Sequence, residues 1–118
     1  MKTRDLVGPA LDWAVAMADG RNPFFASGYL QISNWIPGKA WSPSTDWSQA
    51  GIIIEREEMQ VSKASYGDMA WGAYMWRRES FAGFGLTLLL ATMRCFVSAN
   101  LGETVDIPEG IPTSWTKT

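Results

Sequence analysis

The segment 86–101 restricts the fold more than any other part of this chain. Leu86, Leu88, Leu89, Leu90, Met93, Phe96, Val97 and Leu101 leave only a thin polar stripe of Thr87, Arg94 and Ser98, at i, i+7 and i+11. A helix apolar around most of its circumference has to be covered on most sides. Thr87 can cap its start and Gly102 can stop it. The chain has 118 residues, the length of a single domain. The expected unit is therefore 1–118, with a core over about 6–109 and a loose tail at 110–118 around Pro112.

A second helix is expected near 9–19. Pro9 suits a first helical turn, Gly20 suits a left-handed stop, and Leu11, Ala14, Val15 and Ala18 share one face. Residues 21–50 read as a long loop rich in Gly, Pro and Ser, with one short strand over 29–36. The β-branched run Ile52-Ile53-Ile54 predicts a strand over 51–57, continuing through 59–62 or followed there by a second strand. Tyr66-Gly67-Asp68 is a turn signal, 69–77 reads as another strand, and 103–107 as a short edge strand stopped by Pro108. The order is helix, long loop, two or three strands, helix. The expected class is α+β, two helices packed on a small antiparallel sheet built from 51–77.

Composition removes several function classes. There is no histidine, which takes away the usual triads and proton shuttles, and one cysteine, Cys95, which permits neither an internal disulfide nor a cysteine-clustered zinc site. Cys95 lies between apolar neighbours and reads as an inert core thiol. No metal and no cofactor is expected. The net charge of -2 offers no general attraction to nucleic acid, and none is expected as a partner. No apolar run is long enough for a membrane span, and the first residues lack the apolar stretch of a signal peptide. The expected location is the cytoplasm.

The polar residues that could carry chemistry are few. Arg94 sits in the apolar helix and must be paired. It either bridges to Glu55, Glu57 or Asp12, or presents its fork to an anion. In Trp41-Ser42-Pro43-Ser44-Thr45-Asp46-Trp47 the hydroxyls and carboxylate either form turns and a cap near Ser44, or line a pocket between tryptophans. Glu55 and Glu57 would share one face of a strand, either as a solvated end or as an acid/base or Mg²⁺ pair. The candidate cluster, as ligand site or structural group, is Ser44, Asp46, Trp47, Glu55, Glu57 and Arg94.

Five blocks occur in an informative order: residues 6–16 (LVGPALDWAVA), 41–51 (WSPSTDWSQAG), 53–57 (IIERE), 91–97 (ATMRCFV) and 101–108, with Leu101-Gly102 and Val105-Asp106-Ile107-Pro108. Together they resemble the NinX-like family of small phage and prophage proteins, over about 6–109. The resemblance implies a protein made in the cytoplasm of an infected or lysogenic bacterium, and it carries no mechanism. Small size, seven tryptophans and the lack of a catalytic motif favour a non-enzymatic module that binds a host or phage protein. The other reading is a small enzyme or ligand-binding domain using Asp46, Glu55, Glu57 and Arg94. The surplus apolar surface of the 86–101 helix, with the tryptophans and methionines, predicts a homo-oligomer, most simply a dimer.

Overall fold

Helix α1 (Gly8–Ala18) begins after an extended Val7, with Pro9 in its first turn, and stops before Gly20, whose φ of +73° suits glycine. The structure is a computed structural model that describes residues 1–66 and 69–113. Residues 67–68 of the turn expected at 66–68, and the end of the expected tail, 114–118, lie outside the described residues. Ile111, also in that expected tail, is buried with the core.

The segment read as a long loop holds a hairpin. Strands β1 (Pro23–Ala26) and β2 (Tyr29–Ile32) pair antiparallel across Ser27-Gly28, both at positive φ (57° and 84°). That is the backbone a tight two-residue hairpin turn requires. The strand expected over 29–36 therefore ends at Ile32. Leu30 and Ile32 are buried in the core shared with α1. Trp41 ties the following segment down, since its backbone N–H donates to Leu30 O and its indole Nε1–H to Asp12 O, both at 2.9 Å.

The strand expected over 51–57 is instead a helix, α2 (Trp47–Arg56). Asp46 caps it, accepting from the Ser48 N–H at 2.9 Å, while Gln49, Ala50 and Ile53 form its buried face. Capping and the packing of one helical face outweigh the β preference of three isoleucines, of which Ile52 is left 62% exposed. Glu55 and Glu57 thus lie on and just beyond a helix end, not on one face of a strand.

The sheet is formed by β3 (Gln60–Tyr66), β4 (Met69–Trp76) and β5 (Ser80–Gly85), antiparallel in the order β3-β4-β5. Ala73 and Met75 point to the covered face, and α3 (Leu88–Leu101) lies across it. Gly83 makes the close approach possible. A Cβ there would collide with the carbonyl of Ala91 and the backbone of Cys95. Thr87 caps α3 by accepting from Leu90 N–H at 3.1 Å, and Gly102, at φ +91°, ends it. Leu89, Met93, Phe96 and Val97 are buried, with the sheet on one side of α3 and α1 on another. Thr92 is buried in that layer with its hydroxyl donated to Leu88 O at 2.9 Å. The edge strand expected at 103–107 reduces to a single antiparallel bridge, Lys2 with Thr104. Among the described residues, three α-helices, a hairpin and a three-stranded sheet make this an α+β fold.

Candidate functional site

β5 is an edge strand, and a cleft of about 670 Å³ lies between it and the 3-10 turn Thr3–Asp5. Arg94 reaches from α3 into this cleft. Its Nε–H donates to Leu6 O at 3.0 Å and its Nη1–H to Phe84 O at 2.8 Å. The carboxylate partner expected for Arg94 is replaced by these two backbone carbonyls, and among the described residues it forms no ion pair with Asp46, Glu55, Glu57 or Asp12. The reason is local: Leu6 and Phe84 bring unpaired carbonyls to the guanidinium from either side. Burial pulls the Arg94 pKa below the usual arginine value, and Asp5 nearby acts against that shift. Arginine stays charged regardless. Its Nη2 makes no hydrogen bond among the described residues.

The Phe84 contact also orients the strand. In an antiparallel ladder the N–H and C=O of one residue point to the same side, and neighbours alternate. Phe84 O meets Arg94, and Ala82, two residues away in β5, turns its backbone groups to the same side of the strand as Phe84. The edge carries no lysine, proline or charge, the features by which sheet edges are usually guarded. β3, at the opposite edge, carries Lys63.

The other expected site residues are dispersed. Asp46 accepts from Ser48 Oγ at 2.6 Å and Gln49 Nε2 at 3.1 Å, and the Ser48 bonds hold its carboxyl below the usual range. Trp47 is 59% exposed at the start of α2, and Glu55 is exposed. Glu57 closes an ionic chain that sequence reading missed. Asp19 accepts from Arg21 Nε at 2.8 Å and Arg56 Nη2 at 2.7 Å, and Glu57 accepts from Arg56 Nε at 2.9 Å and from Arg77. The chain ties the ends of α1 and α2 to the β4–β5 turn. Arg21 also lies over the rings of Trp35 and Trp41, at 5.3 and 5.1 Å. Among the described residues no three acidic or cysteine side chains gather as metal ligands.

Ser44 belongs to a different group, centred on Asp12. Its backbone N–H donates to Asp12 Oδ1 at 2.8 Å, and both residues are 4% exposed. Burial pushes the Asp12 carboxyl up to about 7, against the opposing effect of Ser44. Asp12 and Ser44 line a second cleft of about 220 Å³. Sequence reading named Asp12 only as an Arg94 partner. A carboxylate inside the alanine-rich, otherwise apolar α1 was the available signal for a buried polar centre.

Two of the blocks that carry the family resemblance, 6–16 and 41–51, meet at Asp12 and Ser44. Among curated proteins the sequence finds no match. The family model described as "Bacteriophage P22, NinX" matches residues 2–100. The match covers most of the chain, and the protein belongs to the NinX family of phage proteins.

Proposed function

We propose that this phage protein is a non-enzymatic binding module, acting in the cytoplasm of the bacterial host, that takes an extended segment of a host or phage protein along the open edge of β5. The observation that carries the reading is an unguarded strand edge facing a cleft with Arg94 beside it. An extended peptide can continue such a sheet through its own backbone groups. Among the residues lining the cleft, Lys2, Arg4 and Arg94 outnumber Asp5 and Glu103, so a segment carrying a carboxylate fits best. A flexible segment suits the place better than a second folded sheet, because residues 2–5 wall the far side.

The catalytic alternative asks Asp46, Glu55, Glu57 and Arg94 to act together. Asp46 instead caps α2, Glu57 holds two arginines, and Arg94 holds two carbonyls. No helix among the described residues is long and apolar enough to cross a membrane.

The test is selection from a random peptide display library, followed by amide exchange on the bound protein. Binders should be extended and acidic, should slow exchange at Ala82 and Phe84, and should be lost in Ala82→Pro, which removes the edge N–H. Selected peptides that protect α2 or the β1–β2 hairpin instead, or that bind Ala82→Pro equally, would refute the reading.

A further inference from the structure

The Asp12 cleft is separate from the β5 edge, and two features mark it. The first is a buried hydroxyl set against a buried carboxyl: Ser44 Oγ faces Asp12, favours its ionised form as a hydrogen-bonding neighbour, and has no other partner among the described residues. A hydroxyl that donates to a carboxylate keeps its own lone pairs free to accept. The second is a buried carboxyl without a cation: Asp12 takes part in no ion pair among the described residues, and the polar groups that meet it there are the N–H of Ser44, at 2.8 Å, and the Ser44 hydroxyl. Both groups sit in a cleft of about 220 Å³ whose other walls include Phe25, Tyr29, Leu30 and Trp41.

This combination is selective about what it would accept. A carboxylate and a hydroxyl lone pair offer acceptors, and aromatic walls favour a cation with an apolar stem. Anions are disfavoured by the carboxyl itself. The volume admits a small head group and no large molecule. We propose that the cleft over Asp12 and Ser44 is a binding site for a primary ammonium group on a short alkyl stem, as in a small organic amine or a lysine side chain.

The proposal has a pH signature. Asp12, raised to about 7, becomes an anion as pH rises through that value, so an amine binds more tightly above it and displaces the proton. Among the described residues that line the cleft, Tyr29 is the other titratable group. On the neighbouring segments Arg21 is held over Trp41 and Asp46 is held by Ser48 and Gln49, so neither points its charge at Asp12 as a partner. A neutral ligand that accepts from the protonated carboxyl would show the opposite trend.

The experiment uses n-butylamine as probe, with n-butanol and butyramide as neutral analogues of similar size. The readout is the NMR signal of the Trp41 indole N–H, which is bonded to the Asp12 carbonyl. Butylamine should shift it saturably in the millimolar range, at least tenfold more tightly at pH 8 than at pH 5.5, and the neutral analogues should not. Ser44→Ala, which keeps the backbone N–H bond to Asp12 and removes one acceptor, should fold and weaken the amine several-fold. Asp12→Asn should abolish the shift. If the neutral analogues bind as well as butylamine, if affinity falls with rising pH, or if folded Ser44→Ala binds unchanged, the proposal is overturned.

Discussion

Asp12 is the residue whose charge the fold alters most in a way that reaches neutral pH. Its carboxyl titrates near 3.8 when solvated and near 7 when buried. Between those values the native protein holds a proton that the unfolded chain has released. Stability therefore falls as pH rises from about 4 to about 7 and is level on either side, by at most about 4 kcal/mol. Asp46 acts in a lower window. Its depressed carboxyl adds stability that is lost as pH falls below the ordinary carboxylate range. Asp12→Asn should flatten the upper slope, read as urea midpoints at pH 4.5 and 7.5. A wild-type curve level across that range would defeat the assignment. None of this was legible from spacing, because Asp12 and Ser44 are 32 positions apart and meet only when the 41–45 segment folds over α1. Arg94 was legible as a group in need of partners. That its partners are carbonyls of Leu6 and Phe84 depends on where two backbone segments end up, which side-chain chemistry does not encode.

At the scale of elements, legibility followed how local the signal was. α1 and α3 carry their own stops and caps, and both appear within a residue or two of the expected ends. α2 was misread because three isoleucines speak for a strand, whereas the cap at Asp46 and the buried Gln49, Ala50 and Ile53 speak for a helix only once a core exists. The hairpin was missed because its turn is Ser-Gly, a weaker signal than Asn-Gly. Gly83 shows an element contact that sequence marks only as a glycine. Its backbone is not in the left-handed region, so alanine there meets pure steric conflict with α3. Gly83→Ala should destabilise by about 3 kcal/mol or more, since the opposing atoms are backbone and cannot swing aside. Gly110→Ala, at φ +95° in open space, should cost only about 1 kcal/mol. Chemical denaturation of the two variants checks this, and equal midpoints would contradict the packing.

For the whole molecule, most of the surplus apolar surface expected on α3 is covered by the chain's own sheet and α1, with Leu86 and Leu101 left exposed at its ends. The motive for self-association therefore moves to the uncovered face of the sheet. Register places Tyr74 opposite Ala82, Trp76 opposite Ser80 and Phe84 opposite Gly72 on that face, with Gln60 and Ser62 beside them. None of these side chains is charged, although charged residues make up 19% of the sequence. Trp76 is 75% exposed, while Tyr74 and Phe84 meet edge-on at 6.1 Å and already form a rigid ridge. A neutral aromatic face is unusual for a lone chain and suits a two-fold contact in which one patch covers its copy. Strand spacing and rise make the face roughly 15 Å by 25 Å. That is small beside the about 800 Å² per partner of a standard interface. The expected dimer is therefore weak, with a scattering mass that climbs from 13.1 kDa toward twice that value as concentration passes through the micromolar range. Trp76→Lys should hold the mass at the monomer value with little change in melting temperature, because Trp76 is 75% exposed in its own chain. A concentration-independent monomer mass for the unmodified protein would show that the face stays bare, and a dimer that survives Trp76→Lys would place the contact elsewhere.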